Sequence, residues 1–274
     1  MINGLGLDTI YKAYLNIQNE KPESFPGLKK ERPDGRVYYD EKGNTFNPKS
    51  RFFSYLVAAR EFGGFPTILT DGKFQGVKKK QIYHGFHEFD HGDGLLLDFN
   101  YHQGVFGAQG TFFTELKDEA ATYTWVLDEV DGCVKPNRDK IMRAKIVSDN
   151  SCTREDMMGI RQSFDKAGVD AIENPEDREK ISELYDFCFN QTTPNVFDKE
   201  ADEINRYNFF KAILNHDYTL AVFLGYDYMI CYDWDRNYNH YVLFNRAKMI
   251  VPESDMKRFC ENSQGYQGAE IILE

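Results

Sequence analysis

The stretch that decides the fold runs from Ile82 to Tyr123: IYHG at 82–85, GVFGAQGTFFT at 104–114 and EAATY at 119–123. IYHG and GTFFT are short apolar runs bounded by glycine and polar residues, so they read as strands. DEAATY (118–123) reads as a short helix between two strands. Further strand-like runs follow in YTWVL (123–127), KIMRAKIV (140–147) and YMICYDW (228–234). YVLFNRAKMIV (241–251) reads either as a strand pair or as one strand bulged at Asn245-Arg246.

Helical patterns lie to either side of these runs. Leu7, Ile10, Ala13, Tyr14 and Ile17 recur at helical spacing and predict a helix over 6–18. Lys21 to Ser50 is rich in Pro, Gly and charge and reads as loops with a short hairpin. A helix fits Arg51 to Phe62 and stops at Gly63-Gly64. Another fits Arg154 to Ala167. Asn174-Pro175 opens a capped helix whose apolar side is Ile181, Leu184, Tyr185 and Cys188. A further helix ends at Gly225. Helices, strands, helices and strands in that order make the class α+β rather than a doubly wound sheet. The expected layout is a helical and loop region over 1–75 and a second domain over 76–274. That domain is interrupted by a helical insertion at about 151–210.

The 274 residues carry 33 Lys and Arg against 44 Asp and Glu, a net charge of −11. That balance argues against a phosphate-tracking nucleic-acid binder, whose footprint is basic. Residues 151–210 hold −7 of it, so the insertion is either a solvated acidic surface or a partner-binding one. No apolar run is long enough to span a membrane, and the N-terminus has no secretion-signal pattern. Five widely spaced cysteines form no CxxC pair and read as reduced thiols, which implies a cytoplasmic setting. The 22 Phe and 17 Tyr fit an interface or a stacking pocket equally well.

Three kinds of chemistry are open. His84, His87, His91 and His102 stand beside Glu88, Asp90, Asp93 and Asp98, a donor set suited to zinc, iron or manganese. Their spacing argues against a metal, because His84 and His87 straddle Gly85 and HGDG (91–94) does not hold a helix. DHGDGLLLDF lacks the calcium-loop pattern, and neither a GxGxxG nor a P-loop is present. The expected metal set is therefore none.

The order IYHG, GVFGAQGTFFT, EAATY, followed by KIMRAKI, LGYDYMI and YVLFNRAKMIV, resembles the ADP-ribosyltransferase superfamily, in particular its bacterial and phage-encoded members. The resemblance covers about 78–150 and 205–252 and implies a split β-sheet core with NAD held between two small sheets. NAD would then be the substrate, and a protein the acceptor. His84 would bond the nicotinamide-side ribose. Gly85 would bind the nicotinamide amide through its own backbone, which requires close approach and no side chain. Tyr123 would stack on the nicotinamide ring. Phe112 falls where one branch of the superfamily has a second Tyr, and Thr111 and Thr114 fall near polar strand positions of another. Lys78-Lys79-Lys80 reads as a solvated strand start or a diphosphate contact.

One position departs from the pattern. Active members carry a Glu at the start of the late strand, where its carboxylate holds the ribose and stabilises the developing cation. Here that place is Asn239-His240, and no Glu lies between Glu203 and Glu253. Asp233, Asp235 and His240 are the nearest substitutes in sequence. The alternatives are therefore an NAD-dependent transferase using His84, Asp235 and His240, a non-catalytic interaction protein on the same fold, such as a phage or effector component acting in the host cytoplasm or the virion, or a His/Asp metal enzyme.

Overall fold

The computed structural model describes residues 6–19, 30–31, 38–39, 45–46, 66–85, 111–127, 134–190 and 199–262. Among them, nine helices are α1 Leu7–Asn19, α2 Asp71–Gly76, α3 Lys117–Thr122, α4 Arg154–Gln162, α5 Lys166–Asp170, α6 Pro175–Phe189, α7 Lys199–Leu214, α8 Asp217–Leu224 and α9 Glu253–Asn262. The strands are β1 Lys30–Glu31, β2 Tyr38–Tyr39, β3 Thr45–Phe46, β4 Thr67–Leu69, β5 Gln81–Gly85, β6 Thr111–Thr114, β7 Trp125–Leu127, β8 Val134–Pro136, β9 Ile141–Ile146, β10 Ser151–Thr153, β11 Tyr228–Asp233, β12 Tyr238–Leu243 and β13 Met249–Pro252. The class is mixed α+β. The predicted helix at 51–62 lies outside the described residues.

The chain divides into two compact units. Of the described residues, one gathers 6–19, 30–31, 38–39, 45–46, 153–190 and 199–226, and the other 66–85, 111–127, 134–152 and 227–262. In the first, α1 packs on α7: Tyr11 and Tyr14 each meet the Phe209 ring at 5.3 Å. Tyr11 donates to Asp202, and the Arg206 guanidinium bonds Asp202 and the Phe187 carbonyl from inside the core. That pairing is what makes a buried Arg tolerable. The predicted Asn174 cap is present, its side chain accepting from Glu176 and Asp177, with Pro175 at the first turn. The predicted helix from Arg154 to Ala167 is instead two, because Ser163 ends α4 and Asp165 caps α5. Gly225 closes α8 at φ 94°, a left-handed conformation that favours glycine.

The second unit is built on an eight-stranded sheet in the order β10-β11-β12-β6-β5-β9-β13-β4. Most neighbours are antiparallel, and β13 with β4 is a parallel pair. Ile82, Phe113, Met142, Ala144, Leu243, Val251 and Met256 form its core. Residues 241–251 hold two strands and not one bulged strand, but the two do not pair with each other. The chain leaves β12 at Asn245, whose side chain donates to buried Asp227 at 2.8 Å, and re-enters the sheet as β13 at a distant position.

β13 pairs with β9 at just two positions, Met249 with Ile146 and Ile250 with Lys145. Beyond them α9 takes over. The Arg143 N–H donates to the Asp255 carboxylate at 2.7 Å, and Arg258 donates to the Ile141 carbonyl at 2.7 Å. The Arg143 guanidinium also grips Asp255, Asp71 and Ser254. Asp255 is 2% exposed, so its loss strands a backbone donor and a guanidinium together. Asp255→Ala is expected to lower stability by about 3 kcal/mol, read as a shift in urea midpoint. An unchanged midpoint would remove Asp255 from the framework.

Candidate functional site

Strand alternation sorts the central residues onto two faces of the sheet. Tyr83 pairs with Thr114, and Thr114 with His240. Their side chains share one face with Gln81. The residues between them, Ile82 and His84 on β5, Phe113 on β6 and Tyr241 on β12, point to the other face.

His84 is buried at 8% exposure. Its Nδ1 lies 2.6 Å from the Phe112 carbonyl oxygen, which can accept but not donate, so Nδ1 carries the proton. The ring packs at 5.4 Å against Phe113. One residue beyond β6, on the Phe113 side, is Glu115. Its Oε1 accepts from the Tyr241 hydroxyl at 2.6 Å and from Asn239 Nδ2 at 3.1 Å. The Lys80 ammonium closes on the same oxygen at 2.5 Å.

Burial pushes the Glu115 carboxyl up. Bonds from Lys80, Tyr241 and Asn239 outweigh that effect and leave it below the usual carboxylate value. Burial, reinforced by the Glu115 charge, raises the Tyr241 phenol, which stays protonated and donates. The result is an ionised, partly buried carboxylate held by three donors of different kinds.

The expected residues are not all brought together. Helix α3 packs Ala120 and Ala121 against Tyr83 and Ile141, on the face opposite His84. Tyr123 ends that helix, 52% exposed, and so stands on the Tyr83 side. Gly85 does permit a close approach, and the group that makes it is the Ala120 carbonyl. A Cβ at Gly85 would lie 2.0 Å from that oxygen. Thr111, Phe113 and Thr114 are buried and Phe112 is half-buried.

His240 lies on the Tyr83 side, with Nε2 at 3.6 Å from Asp233. Asp235 is exposed in the β11–β12 turn, and its N–H donates to Asp233 at 3.0 Å. Lys79 pairs with Asp149 at 2.6 Å, and Lys80 with Glu115. His87, His91 and His102 lie outside the described residues. Among the described residues, no group of three or more His, Cys, Asp or Glu is arranged to hold a metal ion. No helix among them is long and apolar enough to cross a membrane.

Glu115 is the residue that linear reading missed. The signal was present: in TFFTE, period-2 alternation carries the face of Thr111 and Phe113 on to position 115. Comparison with protein-family models, with curated proteins and with solved structures finds no match for the chain.

Because its folded-state carboxyl is depressed, Glu115 adds stability above the unfolded carboxylate value of about 4.3. That contribution is lost as pH falls through the folded value. The stability gap between wild type and Glu115→Gln, from urea melts at a series of pH values, should be widest near neutrality and close on the acid side. A gap independent of pH would show that the three donors do not depend on the charge.

Proposed function

We propose that the protein cleaves NAD at the nicotinamide–ribose bond and transfers ADP-ribose to a protein acceptor. The observation that carries this reading is the Glu115 carboxylate, held beside Asn239 and Tyr241 on the face of the sheet that also bears His84. The departure noted in the sequence was a missing carboxylate at 239–240, and Glu115 brings one to within 3.1 Å of the Asn239 side chain. The superfamily likeness of the sheet belongs to the same proposal. Support for it is the adjacency of β12, β6 and β5; the strands form one eight-stranded sheet in which β9 and β13 are paired neighbours, where the resemblance implies two small sheets.

The chemistry requires a fixed negative charge. As the C1′–N bond breaks, nicotinamide leaves with the bonding pair and positive charge gathers on the ribose C1′ and ring oxygen. A nucleophile on the acceptor then forms the new C1′ bond and releases a proton. Glu115 stabilises the cation, and its ordered donors mean that little reorganisation is needed at that moment. Asn239, Tyr241 and His84 orient the ribose hydroxyls.

A second reading, a non-catalytic interaction protein, is favoured by Trp234. This residue is 79% exposed in the β11–β12 turn, with Tyr232 edge-on at 4.7 Å.

Calorimetric titration with NAD and measurement of nicotinamide release separate the two. Wild type is expected to bind NAD, and His84→Ala to bind it more weakly. Tyr123→Ala should bind as wild type does if the ribose occupies the Glu115 face. Glu115→Gln should bind NAD while releasing nicotinamide about 100- to 1000-fold more slowly. No binding by wild type would transfer the case to the interaction reading. Unchanged turnover in Glu115→Gln would remove that residue from the chemistry and leave NAD binding standing.

A further inference from the structure

The opposite face of the same sheet carries a second cluster. β11 and β12 pair so that Cys231 stands directly across from His240. Side chains of such a pair share a face, with Cβ atoms about 4.5–5.5 Å apart. Asp233 is two residues along β11 and therefore also on that face. Its Oδ2 lies 3.6 Å from His240 Nε2.

Asp233 is itself fixed. Its Oδ1 accepts from the backbone N–H groups of Asp235 and Arg236 at 3.0 and 3.1 Å. The four-residue turn is completed by Asn237 at φ 59° and by its N–H bond to the Asp233 carbonyl at 2.8 Å. Tyr238 flanks the imidazole at 4.8 Å, and Thr114 is its neighbour on β6. Cys231, His240 and Asp233 are each partly exposed, so a small reagent can reach them. Cys152 and Cys188 are buried, and burial raises the Cys188 thiol to about 12.

We propose that Cys231 is a reactive thiol, activated by His240 as base with Asp233 as its positioning residue, and that it is a site of covalent modification by peroxide or a soft carbon electrophile. The Asp233 carboxylate, 3.6 Å from Nε2, stabilises the imidazolium that forms when His240 takes a proton. His240 takes the thiol proton, and the thiolate attacks one peroxide oxygen. The S–O bond forms as the O–O bond breaks, and hydroxide leaves as water with the imidazolium proton. The product is a sulfenic acid at the expense of one hydrogen peroxide. This inference does not depend on NAD chemistry.

Iodoacetamide alkylation at pH 7, followed cysteine by cysteine with peptide mass spectrometry, tests it. Native Cys231 should react about tenfold faster than the same residue in urea-unfolded protein. His240→Gln should remove that advantage, and Asp233→Asn should reduce it. Dimedone should trap a peroxide-dependent adduct at Cys231 and not at Cys188. A native rate at or below the unfolded rate would overturn the proposal, as would a rate indifferent to His240→Gln in a protein with unchanged circular dichroism. The wild-type comparison of native with unfolded protein requires no variant to fold.

Discussion

Buried backbone groups must be paired, and the second unit is organised around the place where a strand ceases to do the pairing. β9 has β5 along one side, matched from Gln81–Lys145 to Gly85–Ile141. On its other side β13 departs after two residue pairs. The Arg143 N–H and the Ile141 carbonyl are then met by the side chains of Asp255 and Arg258 from α9. A helix thus finishes an edge that a strand began, and it does so with charged groups whose bonds are stronger than neutral ones. Lys145 extends the pattern. Its ammonium reaches the Phe74 and Val77 carbonyls at 2.8 Å each, satisfying the end of α2. With β9 held on both sides, β5 and β6 keep their register, and register sets which residues share a face.

That register separates two chemistries. On the His84 side lie apolar residues with one ionised carboxylate at their margin. On the Tyr83 side lie α3, Tyr123, Cys231 and His240. A shift of one residue in any of β5, β6 or β12 would exchange the faces of that strand. Glu115 would then leave Tyr241 and Asn239 for the helix-covered side. Several features resist such a slip. Phe113 is fully buried, Gly85 fits against the Ala120 carbonyl without room for a Cβ, and Asp227 accepts from the backbone N–H groups of Phe244 and Asn245.

Much of this was legible in the sequence for local reasons. Asn174-Pro175, Gly225 and the periodicity of 6–18 act within a few residues, and the corresponding helix ends and helix are where those signals put them. Six of the eight strands of the central sheet were legible too, because apolar runs bounded by glycine and polar residues have few alternatives; the three-residue strands β4 and β10 were not. The order of those strands was not. β13 reaches β4 across some 180 residues of chain, and no periodicity reports a parallel partner at that distance. Nor was the break between α4 and α5 visible, since Ser163 and Asp165 compete with helix through their own side chains. Tyr123 and His84 were close in the motif order, yet α3 lies against Tyr83, the neighbour of His84 whose side chain points the other way.

Glu115 is distant from Asn239 along the chain and adjacent to it in space. The start of the late strand, where the resemblance implies a carboxylate, carries Asn239. Chemistry constrains a point in space, and in an antiparallel ladder each such point is reachable from the strand on either side. Residues opposite one another stand about 5 Å apart, less than the span of a glutamate side chain with its cross-strand neighbour. Moving a carboxylate from β12 to β6 therefore changes its sequence number by more than a hundred and its position by one rung. Asn239 is here a donor to the Glu115 carboxylate across that rung. A motif defined by spacing cannot register such a neighbour, whereas alternation within TFFTE and the pairing of β6 with β12 place Glu115 beside Asn239.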